Sequence, residues 1–188
     1  MSPRPQIAGL ILVPLLLAGC ASVTAAAPPA APTPVAQSPQ AASSAAGAPS
    51  AAALMICGED IRGKVQQVLK LRSPPIPTAT DAGGVYTCTY ALPAGPMVLS
   101  VTQSASVPAA RAHFAAAGRT LRAPHPLLGL GAGAVADDLG TALVVKDDLT
   151  LRVDATALPA VFGPQDQHRT DLAFEIASDV LGCWTGDE

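Results

Sequence analysis

Three histidines, four cysteines and two adjacent aspartate pairs are the side chains in this sequence whose types suit catalysis or metal binding. A histidine base needs a nucleophile beside it. His113 sits in an Ala-rich stretch, His125 in Ala123-Pro124-His125-Pro126, and His168 just before an apolar stripe. None adjoins a serine or cysteine in a nucleophile motif, and Gly-x-Ser-x-Gly does not occur. They are expected at surface and loop positions, with no catalytic residue among them. Cys-x-x-Cys and paired-histidine spacings are also missing, so neither a metal nor a cofactor is expected. Asp137-Asp138 and Asp147-Asp148 would suit acid/base or calcium chemistry. The calcium-loop pattern is absent, and aspartates beside glycine or inside a hairpin serve turns. Gly129 to Gly133 lacks the strand-turn-helix setting of a dinucleotide site and reads as a loop entering a strand. The aromatic residues are Tyr86, Tyr90, Phe114, Phe162, Phe174 and Trp184. They are expected in and around the core, where a groove between sheet and helices would suit an apolar ligand.

These residues need a scaffold, and residues 55–188 can supply one. Ile61, Val65, Val68 and Leu69 recur with helical spacing, predicting an amphipathic helix over Gly58 to Leu71. Ser73-Pro74-Pro75-Ile76-Pro77 ends it, and Gly83-Gly84 closes the following loop. Alternation predicts strands over Val85 to Leu92 and Met97 to Thr102, with Pro93-Ala94-Gly95-Pro96 turning between them. A short helix is expected over Val107 to Arg119, with Pro108 in its first turn. A loop from Leu121 to Gly133 follows. Three strands are expected over Ala134 to Asp137, Ala142 to Lys146 and Leu149 to Val153. Asp147-Asp148 is the turn between the last two. A final helix carries Leu172, Ala173, Ile176, Ala177 and Val180, with Asp166 as N-cap and Gly182 as its stop. The order α-β-β-α-β-β-β-α implies an α+β domain, with an antiparallel sheet of about five strands flanked by three helices.

The first 54 residues look different. Arg4 is the only charged side chain before Glu59. Ile7 to Ala18 is apolar but too short for a membrane-spanning helix, which needs ~20 residues; it has the length of a signal-peptide core. It ends in Leu17-Ala18-Gly19-Cys20, which resembles the lipobox of bacterial lipoproteins. The resemblance implies that residues 1–19 are a signal peptide and that Cys20 is the lipidated N-terminus, carrying fatty-acyl chains such as palmitate. Two or more chains anchor stably, so the protein is expected outside the cytoplasm, held to the cell membrane through Cys20. Residues 20–54 carry no charge and no aromatic residue, and proline interrupts them repeatedly. They read as a disordered Ala/Pro/Ser-rich tether, whose Ser and Thr residues also suit O-linked sugar. Fully extended it would reach on the order of 100 Å. With 11 basic and 14 acidic residues, nothing favours nucleic acid as a partner. Sparse lysine, absent asparagine and abundant alanine and proline suggest a high-GC actinobacterial genome.

If Cys20 is acylated, Cys57, Cys88 and Cys183 remain, enough for one disulfide in an exported domain. The domain resembles the small mycobacterial-type lipoproteins grouped as DUF3558. The shared features are the lipobox, the low-complexity linker, Cys57 opening a helix, Cys88 within Tyr-Thr-Cys-Thr-Tyr, and the segment Leu128 to Ala134. The resemblance implies a curved antiparallel sheet and, with the positions of the cysteines, a Cys57–Cys88 bond; pairings through Cys183 are the rivals. The expected function is non-enzymatic binding by a cell-envelope lipoprotein, with an apolar small molecule or an envelope protein as partner. The expected site is a cleft or apolar surface between sheet and helix, with the Leu121 to Gly133 loop as its mobile edge. An accessory subunit of an envelope complex and a hydrolase with a triad hidden from sequence are the alternatives.

Overall fold

The computed structural model describes residues 47–131, 133–163 and 165–185. They lie in the compact unit Ala42–Glu188. The apolar N-terminal run, Cys20 and the tether as far as residue 46 fall outside the described residues.

The fold is α+β, as alternation and periodicity imply. A hairpin of β2 (Val85–Leu92) and β3 (Gly95–Gln103) stands beside a second hairpin, β6 (Thr141–Lys146) and β7 (Leu149–Asp154). β3 pairs antiparallel with β7, aligning Leu99 with Val153 and Val101 with Leu151. β5 (Gly133–Ala136) adds to β6. The full sheet has seven strands rather than about five. β1 (Thr78–Ala82) extends one edge and β4 (His125–Pro126) the other, giving the order β1-β2-β3-β7-β6-β5-β4. Every residue of β1 is exposed. No apolar alternation therefore marks it, and Gly83 and Gly84, both at positive φ, turn it into β2. β4 corrects the irregular loop expected over Leu121 to Gly133. Pro126 has no N–H to donate but needs none on an edge strand, and Leu130 is buried in the core.

Four helices cover the sheet: α1 (Ala51–Met55), α2 (Glu59–Leu69), α3 (Val107–Gly118) and α4 (Arg169–Thr185). α2 and α4 lie on one face, where Ile61, Val65, Leu172, Ile176 and Val180 join Tyr90, Met97, Leu99, Leu151 and Val153 in the main core. α3 packs on the other face against β6 and β7. Cover on both sides is why Thr141 to Val145 are all buried. Ser106 caps α3, its hydroxyl accepting from the Ala109 N–H at 3.3 Å, with Pro108 in the first turn.

Three boundaries differ from expectation. The ordered domain begins before Met55: Ser50 caps α1 through the Ala53 N–H, and Ala53 is 2% exposed. A five-residue helix carries no readable periodicity, and its order comes from packing. Asp166 is not the N-cap of the last helix. It sits at φ 52 in the turn between β8 (Val161–Phe162) and β9 (Gln167–His168), and α4 starts after β9. Aspartate tolerates that left-handed conformation, so the same residue type serves a turn instead. Gly182 does not stop α4, which runs on to Thr185 because Trp184 is packed and hydrogen-bonded there.

Asp147-Asp148 forms the expected two-residue turn between β6 and β7, with Asp147 at φ 52. Asp137 also does turn work. It is 4% exposed, and its Oδ1 accepts from the N–H groups of Leu139 at 3.1 Å and Thr141 at 2.9 Å. Removing a buried acceptor strands both donors, so Asp137→Ala should cost about 1–3 kcal/mol. Asp137→Asn keeps an acceptor there and should lose clearly less. Thermal denaturation of both variants decides; equal losses would exclude the hydrogen-bond explanation.

Candidate functional site

Below the end of α2 is an apolar cleft of about 110 Å³. Three elements build it. The last turn of α2 presents Val68 and Leu69, the outer edge of the stripe whose inner members Ile61 and Val65 are fully buried. Lys70 then adopts a left-handed φ of 51 and its N–H caps the Gln66 and Gln67 carbonyls. Leu71 follows into the wall. The β2–β3 turn supplies Leu92, Pro93 and Ala94. Gly95 makes that turn possible. It sits at φ 138, and a Cβ there would stand 2.8 Å from the Ala157 carbonyl oxygen, so only glycine fits without strain. The β8–β9 hairpin closes the third side with Phe162, Gly163, Gln165 and Gln167.

The hairpin is fixed from behind. The Arg169 N–H donates to Ala160 O at 3.1 Å, continuing the β8–β9 pairing. Its Nη1 donates to the Thr156 and Leu158 carbonyls at 3.2 and 2.9 Å. Its Nε is buried without a hydrogen-bond partner. The α2 wall is fixed by the Cys57–Cys88 disulfide, whose Cα atoms are 5.6 Å apart, and by Tyr90. The Tyr90 hydroxyl is fully buried and donates to Ile56 O at 2.6 Å. Burial pushes its pKa well above the usual phenol range, further than the Arg62 charge can pull it back. The start of α2 is therefore held to β2 by a covalent bond and a hydrogen bond at adjacent residues. On β7, burial raises the Asp154 carboxyl, but hydrogen bonds from Thr156 and Arg152 outweigh it and leave the pKa below the ordinary value.

The histidines are dispersed. His113 is exposed on α3, His125 on edge strand β4 and His168 on β9. Among the described residues only His125 approaches a carboxylate, with Nδ1 3.8 Å from Asp138 Oδ1. Both groups are substantially solvated, and such a surface pair contributes little. They border a separate open groove of about 610 Å³ between the β4–β5 edge and α4, where Asp171, Phe174 and Glu175 form the helical wall. Among the described residues neither serine nor cysteine lines it. Among the described residues no cluster of three or more His, Cys, Asp or Glu is arranged to hold a metal ion, and no helix is long and apolar enough to cross a membrane. Cys183 lies half-buried on α4, outside the disulfide. Cys20, the expected lipidation site, lies outside the described residues.

Among the described residues, none of the Leu121 to Gly133 segment, expected to edge the apolar cleft, lines it; His125 and Leu127 border the acidic groove instead. The cleft residues that the sequence did not flag are Leu71, Pro93, Ala94, Gln165 and Gln167. Phe162, directly before Gly163-Pro164, is the signal in the sequence for an aromatic side chain at the edge of the domain. No family model, curated protein or solved structure matches this chain.

Proposed function

We propose that the protein is an envelope lipoprotein of actinobacterial type, anchored through an acylated Cys20, whose tethered domain binds an apolar group without catalysing a reaction. The observation that carries the binding reading is the cleft between α2, the β2–β3 turn and the β8–β9 hairpin. Its walls are mostly apolar and its position is set by a disulfide, a turn that only glycine fits and an arginine clamp. Preformed apolar concavities of this kind bind apolar moieties at little ordering cost. The anchor rests on the apolar run, the small residues after it and Leu17-Ala18-Gly19-Cys20. A tether on the order of 100 Å long would let the domain sample membrane and wall.

Two measurements test this. Full-length protein with Cys20→Ala should lose fatty-acid analogue labelling and leave the membrane fraction; unchanged labelling would remove the anchor from the proposal. Purified Cys20→Ala protein should bind the neutral fluorophore N-phenyl-1-naphthylamine saturably. Ala94→Leu, which fills the cleft, should weaken that binding about tenfold. Binding that ignores both Ala94→Leu and Val68→Asp in folded protein would refute the site.

A further inference from the structure

The apolar cleft has a polar neighbour. A second hollow of about 290 Å³ shares Val68, Gln165 and Gln167 with it. These three residues form a common wall, so a molecule seated against them touches both spaces. Three carboxamides face the second hollow: Gln67 from α2, and Gln165 and Gln167 from the β8–β9 hairpin. Among the described residues none of the three side-chain amides makes a hydrogen bond within the chain. Each offers two donors and an acceptor outward.

The charges around them balance. Lys64 and Lys70 line the hollow, and so do Glu175 and Asp179. Lys64 Nζ lies 3.5 Å from Asp179 Oδ1 across the α2–α4 contact. An anionic head placed here would face two carboxylates, and a cationic head would face two ammonium groups. Near-cancelling charge leaves no strong field for either. Unengaged carboxamides match groups that both donate and accept, which is the property of hydroxyls.

The size of the cleft limits the apolar part. At about 110 Å³ it is smaller than the roughly 150 Å³ apolar cavity that admits benzene. It therefore takes a short apolar arm or the end of a larger molecule, such as one edge of N-phenyl-1-naphthylamine, the rest of which stays outside.

We propose that the two hollows are one site, for a neutral, hydroxyl-rich amphiphile. Its apolar arm lies between Leu69, Leu92 and Phe162, and its sugar-like head sits against Gln67, Gln165 and Gln167. This rests on the apolar-cleft reading above and adds the chemistry of the head. A free apolar glycoside and the exposed sugar of a membrane glycolipid share that chemistry.

The test uses the full chain with Cys20→Ala, titrated calorimetrically with octyl-β-glucoside below its micelle concentration. Octanol, octanoate and octyltrimethylammonium are the comparison ligands. The glucoside should bind about tenfold more tightly than octanol. Replacing both Gln165 and Gln167 by Ala should abolish that advantage, because two modest hydrogen-bonded contacts are worth about that factor. Gln67→Ala, on a residue that lines the second hollow but not the apolar cleft, should also reduce the glucoside's advantage while leaving octanol and N-phenyl-1-naphthylamine binding unchanged. Sedimentation with phosphatidylcholine vesicles, with and without a glucosyl diacylglycerol, separates the sources. Glutamine-dependent pelleting with the doped vesicles identifies the membrane sugar; its absence alongside glucoside binding identifies the free glycoside. Equal affinity for octanol and glucoside, or tighter binding of either charged ligand, overturns the head assignment while leaving the apolar cleft standing. Loss of N-phenyl-1-naphthylamine binding together with all four alkyl ligands overturns the cleft itself. Should Gln165→Ala with Gln167→Ala unfold the hairpin, Gln67→Ala on the helix repeats the comparison.

Discussion

Replacing Cys57 and Cys88 together by alanine should lower the stability of the folded domain by about 3–4 kcal/mol. The bond spans 31 positions in sequence. In the chain-entropy account, cutting a crosslink of that span frees the denatured chain to occupy many more conformations. For a domain of this size the melting temperature should fall by about 10–15 °C. The effect is large against the 5–15 kcal/mol that usually separates folded from unfolded states. The loss should not be complete, because Tyr90 still joins β2 to Ile56 O, one residue from the lost bond. The two ties hold the same segment and so should not act independently. With the disulfide intact, Tyr90→Phe should cost about 1–3 kcal/mol by stranding the Ile56 carbonyl. In the cysteine-free protein its cost should differ measurably. Urea denaturation of the oxidised wild type, the double-cysteine variant, Tyr90→Phe and the combination measures all four corners. A double-cysteine loss below about 1 kcal/mol would mean that the tie contributes almost nothing. The cleft should respond as well, since its α2 wall begins at the tied segment. N-phenyl-1-naphthylamine affinity should drop on reduction while the protein remains folded.

The elements legible in the sequence are those that bury one face. β2 alternates Cys88, Tyr90 and Leu92 inward, and β3 answers with Met97, Leu99 and Val101, all buried. The stripe Ile61, Val65, Val68 and Leu69 defined α2 within about two residues. What could not be read are the pieces that bury almost nothing or that depend on distant contacts. β1 exposes all five residues. β4 is two residues long and contains a proline. β8 and β9 pair only with each other, and their turn uses Asp166, which by type alone looks like a helix cap. The candidate site suffered for the same reason. Part of its wall comes from residues whose apolar character is visible, Val68, Leu69 and Leu92, and part from Leu71 and the Pro93-Ala94 turn beside them. The rest comes from the β8–β9 hairpin, which only tertiary structure brings to the end of α2. The glycine-rich segment, irregular in sequence, borders another groove instead. The Cys57–Cys88 bond forms as the resemblance and the cysteine positions implied, although the residue pattern by itself left pairings through Cys183 open. Cys57 and Cys88 lie on a helix start and a strand that neither alternation nor periodicity places in contact.

The strongest dependence on distant contacts is at the C-terminus, where Trp184→Ala should destabilise the domain by about 3–5 kcal/mol, the usual cost of truncating a buried large aromatic. Trp184 is 6% exposed, two residues beyond a glycine that would ordinarily favour ending the helix. Its indole Nε1 donates to Ala52 O at 2.9 Å, across 132 positions of sequence. The ring thus does two things: it fills the end of the core beside Ala53, and it accounts for a carbonyl of α1. A helix of five residues is too short to persist by its own hydrogen bonds, so α1 should depend on this contact. Trp184→Phe separates the two roles. It keeps much of the apolar ring and loses the N–H, and should cost about 1–2 kcal/mol. Limited proteolysis supplies a local readout. In both variants cleavage should move into 47–56, which wild-type packing protects, while the sheet stays resistant. Trp184 is the only tryptophan in the chain, so wild-type fluorescence reports this one junction. Under mild urea its emission should shift before the far-ultraviolet signal of the sheet is lost, as expected if the α1–α4 junction opens as a local unit of low stability. Coincident transitions, with residues 47–56 no easier to cut in Trp184→Phe than in the wild type, would show that α1 is held by other contacts.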